Sequence, residues 1–222
     1  MASKRRPHPF IQFSLDNGAL LFGDFTLKSG RKSPYFFNAG KFIDGSAFAK
    51  LGEYYADAIV ENFKEQYDVL FGPAYKGIQL ATIASIGLDK KGYSKIPVCY
   101  NRKEAKDHGE RGTLVGASLK DKRVLLIDDV ITAGTAVRHS TQLIEEAGGK
   151  LVGVIVALDR QERGLESRRS SIQEIEQTFN IKVASIINLN NLIEFLQNDK
   201  ASEPLLHTYL KRITQYQEEY GI

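Results

Sequence analysis

The chain has 222 residues, 30 Lys and Arg against 27 Asp and Glu, and a formal net charge of +3, which suits one sizeable α/β domain better than two. Its basic residues are interleaved with acids rather than massed, which argues against a nucleic-acid scaffold and is compatible with anionic small substrates. No run of about eighteen apolar residues occurs, which excludes a transmembrane helix on length, and the single Cys99 excludes an internal disulfide or a multi-cysteine zinc site and fits a reducing, cytoplasmic compartment.

Met1-Ala2-Ser3-Lys4-Arg5-Arg6 has no apolar core behind it and reads as a solvated tail, not a secretory signal. Residues 9–22 read as an amphipathic helix, with Phe10, Ile11, Phe13, Leu15, Leu20 and Leu21 apolar and a break at Asp16-Asn17-Gly18. Residues 24–39 alternate around Ser29-Gly30, so 25–28 and 34–38 are expected to pair as a hairpin. Asp44 opens a helix running to about Phe63, in which Phe48, Leu51, Tyr55, Ile59 and Phe63 recur every three or four residues. The chain then alternates: strand 67–72, helix 77–90, strand 96–102, polar loop 103–113, strand 123–128, helix 134–147, strand 150–158, helix 171–179, strand 182–187, and helical patterns at 190–198 and 204–219. Alternation of this kind predicts an α/β fold with a mostly parallel sheet flanked by crossover helices. The whole of 1–222 reads as one domain, with about 9–40 as a small hood over the strand ends and about 44–222 as core and C-terminal helices.

The segment Val124 to Ala136 carries the most chemistry. Its apolar run lacks polar alternation, as in a parallel strand buried on both faces, so its carboxyl end should open onto a binding crevice. Asp128 and Asp129 close the strand, and Val130-Ile131-Thr132-Ala133-Gly134-Thr135-Ala136 leads into the helical stripe Val137, Leu143, Ile144 and Ala147. Free N–H groups and the positive dipole end of that helix would face an anion. Two carboxylates before such a nest would repel a bare polyphosphate. A ribose resolves the conflict, because its vicinal hydroxyls donate to the acids while its 5-phosphate sits in the turn. The bland alternative is a buried strand whose terminal acids cap the next helix. No Gly-Lys-Ser/Thr and no GxGxxG pattern is present.

Phe71-Gly72-Pro73-Ala74-Tyr75-Lys76-Gly77 repeats the strand, turn and helix order at a second strand end, with Lys76 as a point charge for another anionic group. Alone it is also a common turn. Arg102, Lys103, Lys106, His108 and Arg111 lie in a long polar stretch with glycines at 109 and 112. It reads either as a solvated charge run or, beside two anion sites, as a closing lid over a diphosphate. Cys99, among Ile96, Pro97 and Val98, reads as core. His8, His139 and His207 read as surface or packing residues, and no acid and histidine cluster has metal-ligand spacing.

The Asp128-Asp129 turn closely resembles the phosphoribosyl diphosphate signature of the type I phosphoribosyltransferases. With Thr26 to Asn38, the Tyr75-Lys76 turn and the cationic loop in this order, the chain resembles the orotate phosphoribosyltransferases of the bacterial and fungal dimeric type, over about residues 9–187. That resemblance implies the type I phosphoribosyltransferase fold. It implies that the phosphoribosyl diphosphate site comprises Lys28, Tyr75, Lys76, Arg102, Lys103, Lys106, His108 and the segment from Asp128 through Ala136. Phe36 and Phe37 would border the orotate ring, with Thr132 also touching it, and Arg160 would pair with the orotate carboxylate. From sequence alone Arg160 could equally form a salt bridge to Asp159, Glu162 or another acid. The loop, residues 102–112, would serve the neighbouring subunit of a homodimer. Arg111 departs from the pattern, standing where the family often has a further glycine, which stiffens the hinge or adds a cation. Magnesium is expected as cofactor, held mainly by substrate oxygens rather than by protein ligands.

These residues predict transfer of the phosphoribosyl group to orotate, giving orotidine 5-monophosphate and diphosphate in UMP biosynthesis. Asp128 and Asp129 would position a ribose that becomes cationic, Lys76 and Lys106 would stabilise the departing diphosphate, and His108 is a further catalytic candidate. The rival readings are a transferase for uracil or a purine, which has no use for a carboxylate-binding Arg160, and a non-catalytic nucleotide sensor or RNA-binding regulator, against which the intact cationic loop counts. No nucleic-acid or membrane partner is expected.

Overall fold

The computed structural model describes residues 8–27, 29–106, 112–164, 168–198 and 204–222. Lys28, His108 and Arg111 lie outside the described residues, as does the side chain of Lys106.

The chain opens with α1 (Pro9–Asp16), whose cap is His8: its Nδ1 accepts the Phe10 N–H at 3.3 Å. The helix expected over 9–22 stops there. Gly18 turns left-handed at φ 63°, and Leu20 and Leu21 begin β1 (Leu20–Thr26), antiparallel to β2 (Lys32–Phe37) with Leu20 opposite Phe37. An apolar pair at that spacing fits a helical stripe or a strand equally well, and pairing decides it. This hairpin is the hood. A single 3-10 turn, Ala39–Lys41, leads to α2 (Gly45–Phe63), where Asp44 Oδ1 accepts the Ala47 N–H at 2.9 Å. Of the expected stripe, Leu51, Tyr55, Ile59 and Phe63 are buried and Phe48 is partly buried.

Then follow β3 (Val69–Gly72), α3 (Lys76–Lys90), β4 (Val98–Lys106), β5 (Gly112–Gly116), β6 (Arg123–Val130), α4 (Thr135–Glu146), β7 (Lys150–Asp159), α5 (Ser171–Phe179), β8 (Lys182–Asn188), α6 (Leu189–Asn198) and α7 (Pro204–Tyr220). The six-stranded sheet has the order β5-β4-β3-β6-β7-β8, parallel throughout except for β5, which pairs antiparallel with β4 at the edge. Strand alternation divides the core between the two faces. Leu70, Leu125, Ile127 and Ile155 pack with α2, α3 and the hood, while Val69, Phe71, Val124, Leu126 and Val154 pack with α4 and α5.

The polar loop expected over 103–113 is shorter than its composition suggests. Strand β4 continues through Lys106 and returns as β5, with Asn101 opposite Leu114 and Lys106 opposite Gly112. Polar residues hold strand geometry here because an antiparallel edge can face water on one side. Cys99 is buried in β4, and burial raises its thiol to about 11, which keeps it in the inert thiol form.

Candidate active site

Strands β3 and β6 lie side by side, with Val69 opposite Val124 and Phe71 opposite Leu126. Strand β6 runs on past its neighbour and presents Asp128 and Asp129 beyond the end of β3. Helix α2 fixes this projection, because the buried Tyr55 hydroxyl donates to the Asp128 carbonyl at 2.8 Å. The acids brace their own backbone: the Asp129 N–H donates to Asp128 Oδ1 at 2.9 Å and the Val130 N–H to Asp129 Oδ1 at 3.0 Å. Burial first, and the adjacent Asp129 second, push the Asp128 carboxyl up to about 7. Asp129 turns instead toward α3, where Lys76 Nζ donates to its Oδ2 at 2.7 Å.

After β6 the chain turns into α4 through Gly134, at φ 71° and ψ 3°, which occupies the N-cap without a side-chain hydrogen bond. The first-turn N–H groups of α4 therefore have no side-chain cap competing for them. A cavity of about 420 Å³ opens here. Asp128, Val130, Ile131, Thr132, Gly134, Thr135 and Ala136 line it, together with Val137 and His139, while Asp129 and Ala133 do not. Sequence alone gives His139 a surface or packing role. Its position four residues after Thr135 puts it on the same helical face, and that spacing was the available signal.

The second turn is shaped by close backbone approach. A Cβ on Gly72 would lie 2.0 Å from the Gly77 carbonyl oxygen, so a side chain there has no room. The Ala74 N–H donates to Asn101 Oδ1 at 3.0 Å, which anchors the turn from β4, and the Ala74–Tyr75 peptide is cis. Asn101 is buried, and its anchoring role carried no signal in the sequence. Tyr75 is exposed, and Lys103 Nζ stands 4.5 Å from its ring centroid. Arg102 is partly buried on β4.

In the hood, strand alternation sends Phe36 and Phe37 to opposite faces. Phe36 is open to solvent and stacks on Phe25 with ring centroids 5.4 Å apart, whereas Phe37 is buried and lies 6.3 Å from the Phe10 ring. Arg160, just past β7, lies against the inward face of β2. Its guanidinium carbon is 4.2 Å from the Tyr35 ring centroid, and its Nη2 donates to Ser33 Oγ at 2.9 Å. Its Nε donates to Glu162 Oε1 at 2.6 Å. Of the alternatives left open by the sequence, the salt bridge to Glu162 is thus present. Asp128 and the α4 turn converge on one cavity, Lys76 joins them through Asp129, and Arg160 belongs to a separate cluster beneath the hood.

Among the described residues no group of three or more His, Cys, Asp or Glu side chains converges as a metal cage would. No helix among them is long and apolar enough to cross a membrane.

Residues 39–186 match the phosphoribosyl transferase domain family. An orotate phosphoribosyltransferase of Escherichia coli O139:H28 is 52% identical over 213 residues, covering 96% of this chain and 97% of the relative. The crystal structure of orotate phosphoribosyltransferase from Francisella tularensis superposes with a TM-score of 0.85 at 42% identity, over 96% of this chain and 100% of that one. An orotate phosphoribosyltransferase from Mycobacterium tuberculosis, solved with 5-phospho-alpha-D-ribosyl 1-diphosphate, shares the fold at 19% identity and a TM-score of 0.59, over 83% of this chain and 98% of its own.

Proposed function

The chain belongs to the orotate phosphoribosyltransferases, and from that premise we propose how its residues divide the work of the reaction. The activity is phosphoribosyl transfer to orotate in pyrimidine biosynthesis. In our reading the donor is phosphoribosyl diphosphate, and the products are orotidine 5-monophosphate and diphosphate, made in the cytoplasm by one domain spanning the chain.

The observation that carries this division is the cavity where Asp128 meets the uncapped N-terminus of α4. Its helix end accepts the 5-phosphate through backbone N–H groups, assisted by the hydroxyls of Thr132 and Thr135. The carboxylates of Asp128 and Asp129 take the ribose hydroxyls. As the bond from C1 of the ribose to diphosphate breaks, positive charge develops on the sugar, and two fixed carboxylates beside it favour the transition state over the ground state. Lys76, 2.7 Å from Asp129, exchanges that partner for the diphosphate. Tyr75 borders the same group.

Phe36 offers an exposed ring to the planar base, and Phe37 supports it from within the hood core. Arg160 receives the carboxylate of orotate. Arg102, Lys103, Lys106 and His108 serve the partner's site across a homodimer, with Lys28 reaching substrate from the hood. Asp128 and Asp129 are too few for a magnesium cage and fit an ion that arrives with substrate oxygens. That ion supplies charge neutralisation to the diphosphate when bound. Incubation with magnesium, phosphoribosyl diphosphate and one base at a time tests the acceptor assignment: orotate is consumed, and preferential consumption of uracil or a purine contradicts it.

A further inference from the structure

The guanidinium of Arg160 is held on two of its three nitrogens, and the last helix does part of the holding. Nε donates to Glu162 Oε1 at 2.6 Å, and Nη2 reaches Ser33 Oγ at 2.9 Å and the Tyr216 hydroxyl at 3.4 Å. Tyr216 lies in α7, far along the chain from β7, and its hydroxyl donates to the same Glu162 Oε1 at 2.8 Å. The side chain of Arg160 is 11% exposed and that of Glu162 14%, and Tyr216 is buried. Nη1 of Arg160 makes no hydrogen bond among the described residues.

The backbone locks α7 to the same place. The Arg163 N–H donates to the Tyr220 carbonyl at 2.8 Å, and the Ile222 N–H to the Gln161 carbonyl at 3.2 Å. Arg31, just before β2, lies over the Tyr220 ring at 4.9 Å and reaches Glu162 Oε2 at 3.5 Å. Hood, β7 exit and C-terminal helix thus meet around one partly buried carboxylate, Glu162, which neutralises Arg160 without covering its remaining edge. The helix lies outside residues 39–186, the part that matches the family domain.

We propose that Tyr216 is a positioning residue for the acceptor half of the reaction: with Glu162 it fixes the Arg160 guanidinium so that only Nη1 is offered to the acceptor's carboxylate. A two-pronged Arg–carboxylate fork through Nε and Nη2 is then excluded, because Glu162, Ser33 and Tyr216 occupy that edge. Selection of a carboxylated pyrimidine depends on a hydroxyl supplied from the C-terminal helix. The inference rests on the reading of Arg160 as the carboxylate partner, and it adds what sets that side chain's aim.

The test uses the full-length enzyme and two variants, Tyr216→Phe and Arg160→Gln, each first shown by thermal melting and circular dichroism to be folded. Tyr216→Phe keeps the ring, which lies 6.1 Å from that of Tyr35 and 5.0 Å from that of Tyr220, and loses only the hydroxyl. Its expected signature is a KM for orotate raised roughly tenfold, as for loss of a hydrogen bond to a charged group. The KM for phosphoribosyl diphosphate stays constant, and the preference for orotate over uracil, which lacks the carboxylate, falls by the same factor. Arg160→Gln shows the larger version of this pattern. If Arg160→Gln abolishes the preference and Tyr216→Phe leaves it intact, the positioning role is overturned while the Arg160 assignment stands. If Arg160→Gln leaves the preference intact, both fall. Equal increases in KM for the two substrates in Tyr216→Phe also overturn the proposal, since they signal a general structural loss.

Discussion

Lys76 and Asp129 form a direct ion pair, Nζ to Oδ2 at 2.7 Å, that joins the turn after β3 to the end of β6. The Lys76 side chain is half exposed while that of Asp129 is 9% exposed, so the cation is open to an arriving anion. In the proposed cycle the diphosphate replaces Asp129 as the lysine's partner and leaves that carboxylate to the ribose. Lys76→Met should weaken binding of magnesium diphosphate by about tenfold or more, the scale of a charge-assisted hydrogen bond. Its unfolding free energy should fall as well, by roughly 1–3 kcal/mol, because Asp129 is left a buried carboxylate without its charged partner. Calorimetric titration and urea unfolding measure the two effects, and unchanged diphosphate affinity contradicts the assignment.

Asp128 makes stability depend on pH. Burial holds its carboxyl near 7 in the native state, whereas an unfolded aspartate titrates near pH 4. Between these values the native state binds the proton and the unfolded chain does not, so this group's contribution is complete below about pH 4 and is lost as pH rises through about 7. Relative to Asp128→Asn, the wild type should lose stability over that window. Urea unfolding of both proteins at pH 5 and pH 8 checks this, and parallel pH dependences refute it.

Gly134 occupies the left-handed region at φ 71°, and a Cβ there would meet Ile175 Cδ1 at 3.1 Å. Gly134→Ala should therefore destabilise the fold by about 1–2 kcal/mol and tilt the start of α4, raising the KM for phosphoribosyl diphosphate. Chemical denaturation together with initial-rate kinetics reads both. A fully stable variant with an unchanged KM would show that the turn does not need this conformation.

The cationic loop is proposed to act across a dimer, and subunit mixing tests this independently of static geometry. A Lys106→Ala chain and an Asp128→Ala, Asp129→Ala chain, each inactive alone, should regain up to about a quarter of wild-type activity when unfolded and refolded together at equal amounts, since half of the random pairs are heterodimers carrying one intact site of two. No recovery, with heterodimers demonstrated by mass, places both sets of residues in one chain's site.

Much of the site was legible because it is local in sequence. A buried strand, two acids, a glycine turn and a helical stripe follow one another from Val124 to Ile144, so the pattern needs no tertiary information to be read, and the structure brings Asp128 and most of the turn to one cavity. The same holds for the sheet, whose parallel order follows from alternating elements. What escaped depends on distant partners. Leu20 and Leu21 suit a helix until Phe37 and Phe36 pair with them. The polar residues of β4 look like a loop until β5 returns beside them. Tyr216 and Asn101 act by hydrogen bonds to residues far away in the chain, and none of these contacts has a sequence spacing to betray it.

In the proposed division the turn from β6 into α4 holds the sugar phosphate, while the turn from β3 into α3 holds the diphosphate. Separate calorimetric titrations of Thr135→Ala with ribose 5-phosphate and with magnesium diphosphate test it most directly. Ribose 5-phosphate affinity should fall about tenfold, while diphosphate affinity stays at the wild-type value. Loss of diphosphate binding with ribose 5-phosphate binding intact would contradict it.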